Sequence, residues 1–219
     1  MKKELRKNFL NQRRELSVEV WESLSVRISH KVLGLIQWLI DQDSDHGVRS
    51  MNIHCYMSVP KNREVNTHPL IQALWQSGHR VGIPKTDMMT KTMKTVLYTS
   101  PAQLQRAEFD LLEPSFGEEM PYETLDFVIL PNVATDLRGG RLGYGMGFYD
   151  RFLSNKAFTK KNPSDLGMSL KPIVITPAFE LSVSDQPLPS ESTDVPSDWI
   201  VTEKRIIQTS TGKLIDLSL

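Results

Sequence analysis

The sequence predicts a single α/β domain built on a parallel sheet, with an extra pair of helices at its N-terminus. Three observations carry this. Strand, helix and strand follow one another within about thirty residues between Asn52 and Ile83, and such a crossover joins parallel strands. Before Asp41, apolar residues recur at three- and four-residue spacing, the period of an amphipathic helix. The 219 residues suffice for a full three-layer core but for little beyond one domain, so one domain is expected over 1–219.

The elements follow in order. Leu5, Phe9 and Leu16 mark a weak apolar face on a first helix that also carries Lys2, Lys3, Arg6, Lys7, Arg13 and Arg14. Ser17 is an N-cap candidate for the second, with Glu19 and Glu22 complementing the helix N-terminus. Leu24, Ile28, Val32, Leu35, Ile36 and Leu39 form its inner stripe, and the polar stretch Asp41 to Ser50, with Gly47, ends it. Asn52 to Val59 reads as a buried strand stopped by Pro60. Asn66 or Thr67 caps a helix with Pro69 in its first turn, an inner face of Leu70, Ile71, Leu74 and Trp75, and Gly78 at its end. Arg80 to Ile83 is a strand stopped by Pro84. Further strands are expected at Thr95–Thr99, Leu125–Leu130, Pro172–Ile175 and Trp199–Thr202, and a helix from near Phe148 towards Ser154. The stretches 155–171, rich in Lys, Asn, Ser and Gly, and 182–197, with three prolines, read as loops.

Composition narrows the function. Twenty-six Lys+Arg balance twenty-six Asp+Glu, which excludes a generic basic nucleic-acid binder but not a small anionic ligand. Mean hydropathy is −0.31. The stretch Val32 to Ile40 is interrupted by Gly34 and Gln37 and falls far short of the ~20 residues of a membrane span. Met1 to Arg6 lacks the apolar core of a signal peptide, and the single Cys55 fits a reducing compartment. A cytoplasmic protein is expected. The five histidines show no HExxH spacing and no G-x-S-x-G elbow occurs, so neither a zinc hydrolase nor a triad has an anchor.

The informative stretch is Gly139-Gly140-Arg141-Leu142-Gly143-Tyr144-Gly145-Met146-Gly147-Phe148-Tyr149-Asp150-Arg151. Glycines at alternate positions free the backbone to approach a ligand, and amides leading into a helix can cradle an anion. Arg141 and Arg151 could add charge-assisted bonds to phosphate. Spacing alone leaves a plain glycine-rich turn equally open, and neither the P-loop nor the G-x-G-x-x-G pattern is present. Lys2 and Arg6, four apart, share one helix face, either as a solvated basic surface or as phosphate ligands. Asp150, Asp194 and Asp198 are hard oxygen groups of the kind Mg²⁺ takes.

The run Arg141 to Leu153 resembles the signature of the 5-formyltetrahydrofolate cyclo-ligase family, also called methenyltetrahydrofolate synthetases. Lys2-x-x-x-Arg6 with Arg13-Arg14-x-Leu16-Ser17 is similar to the family's N-terminal helix, and Tyr56 to Val59 through Glu64 to Thr67 to its substrate segment. Asp126–Pro131 with Asp136, and Asp194-x-x-x-Asp198 through Glu203, complete the match. The resemblance implies an ATP-dependent ligase of one-carbon metabolism, closing 5-formyltetrahydrofolate to 5,10-methenyltetrahydrofolate with release of ADP and phosphate. It implies that Lys2, Arg6 and the loop Arg141, Leu142, Gly143, Tyr144, Gly145, Met146, Gly147, Phe148 and Tyr149 hold ATP. It assigns Mg²⁺ to Asp150 and Asp194, and folate to Val59, Glu64 and the stretch Tyr144–Phe148. It further implies small-molecule substrates with no nucleic acid or membrane, a monomer, and a three-layer α/β/α, mostly parallel fold related to the sugar-phosphate isomerase and CoA-transferase group. The chain departs from the family at Asn132, where glycine is common, and at Thr135, where phenylalanine is. Two other readings stay open: a relative that binds ATP and folate without turnover, and a sugar-phosphate isomerase that ignores ATP.

Overall fold

The computed structural model describes residues 1–42, 50–154 and 171–215. The expected helical pair is α1 (Lys2–Arg14) and α2 (Val18–Asp41). Ser17 Oγ accepts the Val20 amide at 3.2 Å and so starts α2. There follow β1 (Asn52–Cys55), α3 (His68–Gln76), β2 (Arg80–Asp87), β3 (Thr92–Leu97), β4 (Leu104–Arg106), β5 (Leu112–Pro114), β6 (Glu119–Met120) and β7 (Phe127–Ile129). Next come β8 (Ala134–Asp136), β9 (Arg141–Leu142), α4 (Phe148–Leu153), β10 (Ile173–Pro177), β11 (Val183–Ser184), β12 (Trp199–Val201), β13 (Ile206–Gln208) and β14 (Lys213–Ile215).

Among the described residues, nine strands form the main sheet in the order β14-β13-β12-β10-β7-β1-β2-β3-β6. Its centre, β12-β10-β7-β1-β2, is parallel, with β1–α3–β2 the crossover the sequence pattern requires. Antiparallel pairs extend it on both flanks. Strand residues alternate between faces. Ile53, Cys55, Phe127, Ile129, Ile175, Trp199 and Val201 pack with α2 and α3. Val128, Leu130 and Val174 face the other way, against Phe152 and Leu153 of α4 and Tyr122. Burial on both faces explains why these strands read as unbroken apolar runs. The layers are unequal: the α-helix packed on the second face is the six-residue α4. On the first face Ile28, Val32, Leu35 and Ile36 of α2 are wholly buried, each contributing about 1.5–3 kcal/mol.

Several boundaries differ from the sequence pattern. β1 ends at Cys55 rather than Val59, because from Tyr56 the chain turns to side-chain partners. Thr67 Oγ1 donates to the Tyr56 carbonyl at 2.7 Å and accepts the Ser58 amide at 3.1 Å. That hydroxyl is therefore not free to cap α3, where Asn66 Oδ1 instead accepts the His68 amide. β2 runs through Pro84 to Asp87. Pairing with β1 stops at Gly82, so beyond it the strand has β3 on one side only, and a missing N–H is tolerated at such an edge. β3 begins earlier than expected, at Thr92. Of the two expected loops, 155–170 lies outside the described residues, while 182–197 includes β11 and buries Leu188.

Candidate active site

The site starts with α1. Lys2, Arg6, Phe9 and Arg13 stand at i, i+4, i+7 and i+11, one stripe of a helix. Leu5 and Phe9 pack on Ala134, Leu142 and Leu188, which seats α1 across the glycine loop. Lys2 Nζ donates to Glu191 Oε1 at 2.8 Å and lies 3.5 Å from Asp194 Oδ2. These partners, the Glu191 hydrogen bond foremost, raise the lysine's pKa. Arg6 Nε donates to the Gly143 carbonyl at 2.7 Å. Arg13 is 2% exposed; its Nη1 donates to the Asn132 carbonyl and its Nη2 to the Tyr144 hydroxyl, both at 2.7 Å.

The glycine loop is anchored from behind. Asp136 Oδ1 accepts the amides of Arg138 and Gly140, and its Oδ2 accepts that of Leu188. Gly139, at φ 84°, passes so close to Ser197 that a Cβ would sit 2.3 Å from its carbonyl oxygen. Gly145 (φ 97°) and Gly147 (φ 66°) carry the loop into α4 in backbone conformations that favour glycine. A helix of six residues has a small dipole, so an anion here relies on loop amides and cations more than the sequence suggests. Arg141 supplies one such cation, its Nη2 2.7 Å from Asp150 Oδ1 and its guanidinium over the Tyr149 ring at 5.9 Å. Arg151 also lines the cleft beside this loop, donating to the carbonyls of Lys91 and Met146.

The opposite wall comes from the chain leaving β1. Arg63, in the left-handed region at φ 48°, turns it back, so that Glu64 Oε2 accepts the Val59 amide at 2.6 Å. Trp21 of α2 donates its indole N–H to the Glu64 carbonyl at 2.6 Å. Glu64 is 5% exposed. Burial raises its pKa above the usual carboxylate value, opposed by the Tyr144 hydroxyl, the Val59 amide and the Arg13 charge.

These walls enclose a cleft of about 770 Å³. Lys2 and Arg6, Val59 and Glu64, the whole of 141–149, Asp150 and Asp194 line it. Asp198, the third aspartate the sequence offers for a metal, does not: its Oδ2 accepts the Val174 amide of β10 at 2.8 Å. Sequence reasoning missed Glu113, which accepts the Thr86 hydroxyl at 2.6 Å, together with Met93, Phe109 and Glu191. It also assigned no role to Arg13 behind Tyr144, although the helical stripe continuing from Lys2 and Arg6 was a signal for it. The departures from the family pattern fit an ordinary backbone. Asn132 is not among the residues at positive φ, and its Nδ2 donates to the Pro177 carbonyl at 2.7 Å. Thr135 Oγ1 donates to the Gly140 carbonyl at 2.9 Å.

Among the described residues no three His, Cys, Asp or Glu side chains cluster as a ready metal site. Asp150 and Asp194 each face a cation, Arg141 and Lys2, within the same cleft. One or two carboxylates beside phosphate oxygens and waters are the set Mg²⁺ takes with a nucleotide, and the chemistry of these two carboxylates fits that ion.

The family model for the 5-formyltetrahydrofolate cyclo-ligase family matches residues 1–203. The chain belongs to this family. It is 36% identical over 110 residues to the 5-formyltetrahydrofolate cyclo-ligase of Haemophilus influenzae, a match covering 49% of this chain and 58% of that protein. With the cyclo-ligase of Escherichia coli K12 it shares 32% over 146 residues, 65% of this chain and 74% of the relative. The NMR structure of Aquifex aeolicus 5,10-methenyltetrahydrofolate synthetase superposes with a TM-score of 0.75 at 28% identity, covering 99% of this chain and 96% of that one. The mixed α/β fold with its large central sheet is thus that of a cyclo-ligase. None of the described helices is long and apolar enough to cross a membrane.

Proposed function

We propose that the protein closes 5-formyltetrahydrofolate to 5,10-methenyltetrahydrofolate at the expense of ATP, releasing ADP and phosphate. One observation carries this reading: four segments distant in sequence, α1, the turn after β1, the glycine loop and the stretch before β12, converge on one cleft with cations and loop amides at one wall and a buried carboxylate at the other. A formyl oxygen is a poor leaving group. Transfer of the γ-phosphoryl group to it creates a good one; the 10-nitrogen of the folate then attacks the activated carbon, and the C–O bond breaks as phosphate departs. Such chemistry asks the protein for alignment and charge neutralisation rather than a nucleophile.

In this reading Lys2, Arg6 and Arg141–Tyr149 hold the triphosphate. Lys2 and Arg141 move from the carboxylates they now face to phosphate oxygens. Asp150 and Asp194, so released, hold Mg²⁺, which when bound neutralises phosphate charge during transfer. Val59, Glu64 and Tyr144–Phe148 contact the folate, with the Glu64 carboxylate accepting N–H groups of the pterin. The same reading takes the chain as a monomeric, single-domain cytoplasmic enzyme with fold kin in the sugar-phosphate isomerase and CoA-transferase group; the buried, unpaired Cys55 is consistent with a reducing compartment. The test is direct. Purified protein given MgATP and 5-formyltetrahydrofolate should develop the near-ultraviolet methenyl absorbance with one ADP released per turnover. Binding of both ligands without ADP release would overturn the proposal.

A further inference from the structure

Glu113 is a buried carboxylate that lines the cleft, and neither the phosphate wall nor Glu64 accounts for it. Its place depends on the part of β2 that extends past Gly82. Pro84 and Thr86, two residues apart, share one face of that extension, and Met93 of β3 stands opposite Thr86; all three line the cleft. Glu113, on β5, meets the same wall. Its Oε1 accepts the Thr86 hydroxyl at 2.6 Å and its Oε2 the Thr86 amide at 3.2 Å. Among the described residues no cation pairs with it. A buried carboxylate without a counter-charge is costly, and two donors fill only about half of the acceptor sites its oxygens offer. The chemistry of the wall selects a further donor. A carboxylate repels phosphate and carboxylate groups, so neither the triphosphate nor the glutamate end of a folate suits it, while Pro84, Met93 and Leu112 in the same lining suit a flat ring. An N–H edge of a ring meets both conditions. Glu64 and Glu113 both act on the Tyr149 hydroxyl, raising its pKa behind the larger effect of burial, so the two carboxylates flank one part of the cleft.

We propose that Glu113 is a second folate-binding residue: oriented by Thr86, its carboxylate accepts an N–H group of the pterin edge that Glu64 does not hold. This rests on the reading that the cleft takes 5-formyltetrahydrofolate. One anchor leaves a ring free to pivot, whereas two fix it in its plane, and in-line transfer of the γ-phosphoryl group to the formyl oxygen needs that alignment. Thr86 acts through Glu113 and is a positioning residue.

The test is a mutant cycle read by calorimetry with 5-formyltetrahydrofolate alone, without nucleotide or turnover. Glu113→Gln keeps an oxygen for the Thr86 hydroxyl but loses the charge, and folate affinity should fall roughly tenfold or more, the scale of a hydrogen bond to a charged group. Thr86→Val removes one of the two donors that orient the carboxylate; it should cost about threefold in the wild-type background and nothing measurable beside Glu113→Gln. Affinity for a non-hydrolysable ATP analogue with Mg²⁺ should stay within about twofold in every variant, a readout that general damage to the cleft would move. Should Glu113→Gln fail to fold, Thr86→Val decides the question, and unchanged folate affinity in it would overturn the proposal. So would Glu113→Gln binding folate as wild type does, or losing affinity for the nucleotide instead, which would give the wall to the adenine amino group. A wild-type protein that binds no 5-formyltetrahydrofolate would overturn the folate reading of the site itself.

Discussion

Asp150→Asn separates two roles that the structure gives one carboxylate. In the structure Asp150 is the short partner of Arg141, at 2.7 Å. The arginine side chain is 6% exposed and the aspartate 27%. The other donors of Arg141 are poorly served: Nη1 reaches the Pro131 carbonyl only at 3.4 Å, and Nε has no partner. A hydrogen bond between charged groups contributes about 1.5–3 kcal/mol. Asparagine keeps an acceptor but loses the charge, so the variant should be destabilised by about 1–2 kcal/mol, discounted for the aspartate's partial exposure. For a chain of this size that lowers Tm by about 2–8 °C. The second role is metal. A non-hydrolysable ATP analogue should raise the wild-type Tm more with Mg²⁺ than with EDTA, and in Asp150→Asn that Mg²⁺-dependent increment should vanish. Differential scanning fluorimetry with four conditions per protein measures both effects. An unchanged Mg²⁺-dependent increment alongside the lower Tm would leave Asp150 as the partner of Arg141 only and refute the metal assignment.

Two further expectations concern stability. His54 is buried, with Nδ1 at 2.8 Å from Thr95 Oγ1 and Nε2 at 3.3 Å from the Tyr149 hydroxyl, and burial pushes its pKa down to about 3. Its folded pKa is depressed, so as pH falls through about 6.5 the unfolded chain takes up a proton that the folded one refuses, and stability is lost. Between pH 7.5 and 5.5 wild type should lose about 1.4 kcal/mol more than His54→Gln in urea unfolding; equal losses would refute the burial argument. Gly139→Ala and Gly145→Ala should differ although both glycines have positive φ. At 139 the new methyl meets the Ser197 carbonyl at 2.3 Å, costing about 2–5 kcal/mol from strain and overlap. At 145 the nearest atom is the Arg6 guanidinium carbon at 3.5 Å. That change should cost about 1–2 kcal/mol while raising the ATP KM more than Gly139→Ala does. Equal Tm losses in the two variants would argue against the contact at Ser197.

The sequence by itself determined the elements whose cause is local. The 3.6-residue stripe from Leu24 to Leu39 appears as α2, Ser17 caps it, and the crossover Asn52 to Ile83 appears as β1–α3–β2, because period and capping are properties of neighbouring residues. The family signature likewise marked the glycine loop, where the backbone itself is the functional group. The boundaries were decided by partners distant in the chain. Pro84 stays within a strand because only β3 needs its neighbours there, and Thr67 gives its hydroxyl to Tyr56 and Ser58 rather than to its helix. The same holds for the site. Lys2 and Arg6 were visible as a basic pair, but whether they met solvent or the glycine loop depended on Leu5 and Phe9 finding Leu142 and Leu188. Arg13 looked like one more cation on a charged helix. Only the packing of α1 against two other segments removes it from water and leaves Tyr144 and the Asn132 carbonyl to satisfy it, because the cost of burying a charge is set by what surrounds it and not by its neighbours in sequence.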